Sequence, residues 1–183
     1  MNPLRLRVLL VAALFAAFTA APVLAQERGN EEPRVSPNAV VSQTIGTTEV
    51  RITYGRPQVK GRTIFGGLVP YGKVWRTGAN EATTFSVSSD VTIEGKPLSK
   101  GTYSLYTIPG KDQWTIIFNN VANQWGTQYD STKDALRVKV SPESAPPREM
   151  MTFLFEGVTN EKGTCVLHWA EVRVPFDIRV ASE

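Results

Sequence analysis

The segment YGKVWRTGANEATTF (residues 71–85) gathers side chains with the chemistry of a binding or catalytic site. Arg76 can clamp a ligand carboxylate through two parallel hydrogen bonds. Glu81 can serve as a general acid or base. Asn80 adds an amide, and Trp75 adds an aromatic ring. Such a set fits a reactive or ligand-binding site, and it also fits an elaborate corner of a β-sheet.

Local alternation predicts how this segment folds. If 74–76 and 81–87 pair around the loop 77–80, the residues that flank the loop face each other, so Arg76 lies opposite Glu81. The period of two along a strand places Glu81 on one side of it with every second residue. That side is the apolar one, formed by Thr83, Phe85 and Val87.

A charged pair at the end of an apolar strand face has two interpretations. It is either a buried ion pair that fixes the loop, since burying one charge alone is costly, or the mouth of a pocket in which Arg76 contacts a ligand anion and Glu81 orients it. Trp125 lies in an irregular segment between Asn119 and Asp134 and is expected to be exposed. The candidate ligand-binding residues are therefore Arg56, Tyr71, Arg76, Asn80, Glu81 and Trp125.

Metal and nucleophile chemistry have little support. The chain has one histidine, His168, and one cysteine, Cys165, whereas transition-metal sites usually take several such ligands. No calcium-loop signature and no G-x-S-x-G motif occurs. We therefore predict no metal site and no cofactor, a satisfied or surface role for His168, and an inert core thiol at Cys165.

The elements around these residues read as strands. Alternating or β-rich stretches, separated by Gly, Pro and Asn turns, predict an all-β fold: a single antiparallel β-sandwich of about eight to ten strands with long irregular loops. The stretches are 39–45, 49–54, 83–88, 91–93, 102–108, 113–119, 135–140, 150–155, 164–169 and 172–180. The long connection 55–73 shows no helical period, and long ordered loops tend to carry function or wrap an edge.

The first residues have the features of a secretory signal peptide. Arg5 and Arg7 precede an apolar run, and Val23 and Ala25 provide a small-residue cleavage site. The competing interpretation is an uncleaved membrane anchor, because the apolar run nearly reaches the length of a membrane span. We expect cleavage near Ala25 and a soluble, exported protein in the periplasm or outside the cell.

The predicted organisation is a signal peptide (1–25), a flexible leader (26–37) and a β-sandwich domain (38–183). Without Arg5 and Arg7, the 20 basic residues become 18 against 17 acidic ones, a net charge of about +1. A charge this small gives no reason to expect nucleic acid or an anionic membrane as a partner. The expected partner is a small molecule, a saccharide or a peptide, and the oligomeric state stays open.

Three segments carry a resemblance to a known family: YGRP (54–57), GLVPYGKVWRTGANEAT (67–83) and GTYSLYTIPG (101–110). On these segments the chain resembles the exported bacterial domain-of-unknown-function family 2911 over residues 36–178. The resemblance implies one domain and brings no activity, because the family has no established biochemical role. The chain departs from the family pattern at Gly55, where serine is expected, and at His168, where an acidic residue is expected.

These observations favour an exported, non-enzymatic ligand-binding or interaction module. The alternatives are a hydrolase that uses Glu81 as general acid or base, and a polar cluster that is purely structural. Burial separates them, since a sealed Glu81 acts as a corner of the sheet and an open one as a site.

Overall fold

Ten β-strands account for most of the chain that the structure, a computed structural model, describes, namely residues 28–29 and 32–180. The first five are β1 (Asn38–Ile45), β2 (Thr48–Gly55), β3 (Thr83–Val87), β4 (Val91–Ile93) and β5 (Lys96–Leu98). The others are β6 (Gly101–Ile108), β7 (Trp114–Asn119), β8 (Asp134–Val140), β9 (Glu143–Glu156) and β10 (Lys162–Val180). A 3₁₀ turn spans Ser131–Lys133. The predicted signal peptide lies outside the described residues.

The strands form two antiparallel sheets. One has six strands in the order β1-β2-β3-β6-β7-β8, and the other has four in the order β5-β4-β10-β9. This arrangement confirms the predicted all-β sandwich, at the upper end of the predicted strand number. No helix in the described part of the chain is long and apolar enough to span a membrane.

Alternation places the core between the two sheets. Phe85 of β3, Phe118 of β7 and Phe176 of β10 are all buried. The ring centroids of Phe85 and Phe118 lie 5.0 Å apart, and Phe176 lies 6.2 Å from the first and 6.3 Å from the second. Because Phe176 belongs to the opposite sheet, this aromatic trio ties the two layers together. Cys165, also on β10, is buried in the same core, as predicted.

A smaller apolar cluster lies on the other face of the six-stranded sheet. It consists of Ala82, Tyr106 and Ile117, with Tyr129 packed against it. The irregular segment 120–133 covers this face. The Tyr106 hydroxyl donates a hydrogen bond of 3.0 Å to the Gln128 carbonyl of this segment. The sheet is therefore covered on both faces where β3, β6 and β7 lie side by side.

The β9–β10 pair is interrupted at Ala170. Thr152 pairs with His168, Arg148 with Ala170, and Ser144 with Val172, so two steps along β10 correspond to four along β9 on each side of Ala170. Ala170 itself has a φ of +50°, a conformation that costs a residue with a Cβ about 1–3 kcal/mol. The sequence predicted two strands here, whereas the structure has one 19-residue strand with a bulged partner.

Candidate functional site

The Glu81 carboxylate is sealed by a residue of the leader. Glu81 is only 4% exposed. Arg34 Nη1 donates to Oε1 at 3.0 Å and to Oε2 at 2.8 Å, and Arg34 Nη2 donates to Oε1 at 3.0 Å. Burial is the largest single effect and raises the pKa of Glu81. The hydrogen bonds from Arg34 and the backbone, together with the charges of Arg34 and Arg28, outweigh it, so the pKa lies below its ordinary value. The carboxylate is therefore held as an anion.

A second leader residue reaches the same place. Arg28 Nη1 lies 3.7 Å from Glu81 Oε2, and the Arg28 side chain is 10% exposed. Its Nη2 donates to the carbonyl oxygens of Glu81 and Ala82. Two guanidinium groups from outside the sandwich thus converge on one buried carboxylate, and the predicted leader is the source of both.

The predicted pairing of Arg76 with Glu81 is wrong. Both edges of β3 are occupied by β2 and β6, so the segment before the loop has no free edge of β3 to join. Trp75 instead forms a bridge with Thr107 of β6, and Glu81 forms one with Trp125. In the described part of the chain, the ion pairs of Glu81 are with Arg28 and Arg34.

Four of the six candidate residues do come together: Arg76, Asn80, Glu81 and Trp125. The Gly126 amide donates to the Asn80 carbonyl at 3.2 Å. A Cβ on Gly126 would lie 2.2 Å from Arg76 Cδ, so the stem of Arg76 lies directly on this glycine. Trp125 is 40% exposed, as expected from its loop. These residues form a tightly packed corner around Glu81.

The other two candidates, Arg56 and Tyr71, point to different contacts. Arg56 Nε donates to the Met151 carbonyl at 2.9 Å, and its Nη2 donates to Thr152 Oγ1 at 2.8 Å. Arg56 therefore joins the end of β2 to β9. Tyr71 lies against Gly66, where an added Cβ would meet the ring at 2.7 Å, and it is 39% exposed.

Tyr71 lines a cleft between the long loop after β2 and the β9–β10 pair. This cleft has a volume of about 390 Å³. Its lining consists of Val59, residues 62–65, Tyr71, residues 147–149 and residues 170–172. A second cleft of about 100 Å³ shares Phe65, Tyr71 and Val172 with it. The Tyr71 ring therefore borders both spaces, between the long loop after β2 and the bulged β9–β10 pair.

Phe65 gives the cleft a firmly held aromatic wall. Its ring centroid lies 4.9 Å from Trp114, 6.0 Å from Trp169 and 6.1 Å from Trp75. Trp75 and Trp169 are themselves stacked at 5.8 Å with an interplanar angle of 20°. Edge-on contacts of this kind each contribute about 0.5–1.5 kcal/mol beyond area burial, so Phe65 is positioned by its neighbours rather than by the loop alone.

Charged side chains of both signs also line the cleft, namely Arg62, Arg148, Glu149 and Glu171. Within residues 28–29 and 32–180, none of the four takes part in an ion pair. Arg148 Nε donates to His168 Nδ1 at 3.1 Å. His168 Nε2 lies 3.0 Å from the Pro146 carbonyl. His168 is thus a satisfied residue that holds Arg148 at the cleft.

A separate polar network fixes the segment 120–133. The Tyr129 hydroxyl donates to Asp134 Oδ2 at 2.7 Å, and Arg137 Nη2 donates to the Tyr129 hydroxyl at 2.8 Å. Burial and the bond to Asp134 raise the pKa of Tyr129 to about 12. Asn119 Nδ2 donates to Asp134 Oδ1 at 2.8 Å. This network holds the loop against the sheet, and its role is structural.

A model of the family described as "Protein of unknown function (DUF2911)" matches residues 36–178. The chain belongs to this family. The match confirms the resemblance seen in the sequence. No curated protein and no solved structure matches the chain.

The DUF2911 match contains Glu81, Trp125 and every residue of the cleft, but it begins after Arg28 and Arg34. The guanidinium groups that seal Glu81 therefore come from outside the matched residues. Sequence patterns contained no signal for this contact, because a polar leader shows no periodicity. In the described part of the DUF2911 chain, no group of three or more His, Cys, Asp or Glu residues is placed to hold a metal ion.

Proposed function

We propose that this DUF2911 protein is a non-enzymatic binding module whose ligand occupies the cleft beside Tyr71. The cleft itself is the main support for this proposal, because its volume of about 390 Å³ lies within the range of small-molecule sites. Such sites combine apolar walls with a few placed polar groups. The N-terminal sequence supports export, so we place this binding outside the cytoplasm.

The lining indicates a small zwitterionic ligand with an apolar face, such as a short peptide. Arg148 suits a carboxylate, because guanidinium groups bind carboxylates through paired hydrogen bonds and its bond to His168 uses only Nε. Arg62 adds positive charge, but its Nε and Nη2 already donate to the carbonyls of Val59 and Gln58. Glu149 and Glu171 suit an ammonium group. None of these charges is neutralised by another in the described chain. A ligand that carries both a positive and a negative charge therefore gains the most binding free energy.

The backbone beneath the cleft supports the proposal. Ala170 lines the cleft and has a φ of +50°, and the register of β9 and β10 shifts on both sides of it. Bulges are frequent beside functional sites, where they redirect side chains. Here the bulge brings residues 147–149 opposite the loop that carries Phe65 and Tyr71.

The hydrolase alternative has less support. A general acid or base must reach the substrate and exchange a proton with it. Glu81 is buried and its two carboxylate oxygens accept hydrogen bonds from Arg34. The same geometry supports a structural role for the corner around Glu81.

The test is a thermal-shift screen of amino acids, dipeptides with free and with blocked ends, and neutral saccharides. A ligand at about one hundred times its Kd stabilises the folded protein by ~2.7 kcal/mol, which raises Tm by roughly 5–10 °C for a domain of this size. We expect free dipeptides with an apolar side chain to raise Tm, and blocking either end to weaken binding about tenfold, the equivalent of ~1.4 kcal/mol.

Two variants provide the comparison. Tyr71→Ala removes a ring from the cleft, and Trp125→Ala removes one of equal exposure from the Glu81 corner. The shift must vanish in the first and persist in the second. Neutral sugars that bind as well as dipeptides would overturn the ligand class, and a panel with no binder at millimolar concentration would overturn the cleft as a site.

A further inference from the structure

We propose that the corner around Glu81 is a guanidinium-binding socket of the DUF2911 domain, occupied in cis by Arg34 and able to take an arginine side chain of another polypeptide. The Glu81 socket is defined by the Glu81 carboxylate, the carbonyl oxygens of Glu81 and Ala82, and the Asn80 amide. The leader strap is defined as the described residues 28–29 and 32–37. This site is separate from the cleft and does not depend on it.

The socket and its occupant belong to different parts of the chain. Glu81 lies inside the family match, which starts at residue 36, and Arg34 lies before it. Glu81 is 4% exposed and its carboxylate needs a counter-charge, because burying one charge alone is costly. The family domain by itself thus presents an acidic socket, and the leader strap supplies the cation that fills it.

The chemistry of the socket selects a guanidinium group. Arg34 uses two nitrogens to reach both oxygens of Glu81, with distances of 2.8–3.0 Å. Arg28 adds donors to the neighbouring carbonyl oxygens. A planar fork with several donors fits this set, whereas an ammonium group is a point charge that cannot span both carboxylate oxygens in the same way.

The leader strap is held mainly by these two side chains. None of its described residues is buried, and Val35 is 78% exposed. Further hydrogen bonds to the strap run from Arg56 N to the Pro37 carbonyl at 2.8 Å and from Asn80 Nδ2 to the Ser36 carbonyl at 3.4 Å. Asn38 Nδ2, at the start of β1, donates to the Gly29 carbonyl at 3.2 Å. Segments with few buried apolar contacts open locally at low cost in free energy.

Displacement of the strap therefore frees the socket without unfolding the sandwich. The tether keeps Arg34 at an effective concentration in the millimolar range. A separate arginine competes poorly while Arg34 is in place, and it binds once Arg34 is removed or drawn away. The strap thus acts as a built-in competitor for an arginine-bearing partner.

The test uses the full chain with Arg34→Ala and an acetylated peptide of residues 28–37, RGNEEPRVSP. We expect saturable binding, read by NMR shifts of the indole of Trp125, whose backbone is bridged to Glu81. Replacing the second arginine of the peptide by lysine or alanine should weaken binding at least about tenfold, or ~1.4 kcal/mol. The double variant Arg34→Ala with Glu81→Gln should not bind, and the wild type should bind more weakly than Arg34→Ala.

Three results would overturn the proposal: no binding to folded Arg34→Ala at about 5 mM peptide, above the effective concentration of a short tether; equal binding of the lysine or alanine peptide; or undiminished binding to the double variant. If Arg34→Ala does not fold, Arg34→Lys keeps the charge and loses the fork, and the same peptide must displace the lysine. A folded Arg34→Lys that ignores the peptide is equally decisive against the socket.

Discussion

Arg34 binds Glu81 through three nitrogen–oxygen contacts of 2.8–3.0 Å across a sequence separation of 47 residues. The contact joins a leader without regular structure to the bridge that precedes β3. It also answers the question posed by the motif: the Glu81 carboxylate is closed, and the group that closes it is not the neighbouring Arg76.

A double-mutant cycle measures this contact. Glu81→Gln leaves Arg28 and Arg34 without their counter-charge, so we expect the free energy of unfolding to fall by about 2–4 kcal/mol, toward the lower part of the range for broken buried pairs because Arg34 keeps some exposure. The coupling with Arg34→Ala should be about 1–2 kcal/mol. Urea denaturation measures both quantities.

Arg76→Ala is the matched control for that cycle, since it removes a nearby guanidinium that forms no ion pair with Glu81. Its coupling with Glu81→Gln should be smaller than that of Arg34→Ala, because Arg76 shares the packed corner with Glu81 but no ion pair. Additivity of Arg34→Ala with Glu81→Gln, or strong coupling of Arg76→Ala, would contradict the assignment of the partner.

Acid should destabilise the wild type through Glu81. Its pKa in the folded state lies below the ordinary value of 4.5, so the unfolded state binds a proton first as pH falls. The stability that this group contributes is complete above about pH 4.5 and is lost below it. Urea midpoints between pH 6 and pH 3 should fall more steeply for the wild type than for Glu81→Gln, and parallel curves would refute this.

Alkali should act through Tyr129. Its pKa is raised from 10.0 to about 12 in the folded state, so the unfolded state loses its proton first. The contribution of this group is complete below pH 10 and disappears as pH rises to about 12. Tyr129→Phe should therefore lose less stability than the wild type over that interval. Burial also raises the pKa of Tyr54, Tyr103 and Tyr106, so ultraviolet titration should show one late phenol more in the wild type than in Tyr129→Phe.

Ala170→Gly should stabilise the protein. The φ of +50° at Ala170 costs a residue with a Cβ, and glycine adopts it freely. We expect a gain of about 1 kcal/mol, the net of relieved strain and the greater freedom of glycine when unfolded. Ala135→Gly, at an exposed position of β8, is the control and should cost about 0.5–1 kcal/mol. Equal losses at both positions would show that Ala170 is not strained.

Alternation predicted the sandwich well because each strand has one face in the core. Phe85 and Val87 are buried as their spacing required, and Leu136 is packed against the core from β8. Partner choice was beyond such reasoning. Which strand lies beside β3 depends on contacts far away in sequence, and the expected neighbour of Glu81 was wrong for that reason.

The site was predicted only in part, again for a physical reason. The loop 55–73 was expected either to carry function or to wrap an edge, and it supplies Phe65 and Tyr71 to the cleft. The opposite wall, residues 147–149, follows from a bulge in β9 whose extra residues leave no mark on the hydrophobic pattern. Arg28 and Arg34 were assigned to a flexible leader because their contacts are purely polar.

Cys165 is the only thiol in the chain and has no exposed surface. Burial raises its pKa well above the ordinary value, and thiols react as thiolates. A disulfide reagent therefore reaches it only in molecules whose two layers have separated. The rate at which Cys165 is modified in the native protein therefore measures how often the two sheets of the sandwich separate.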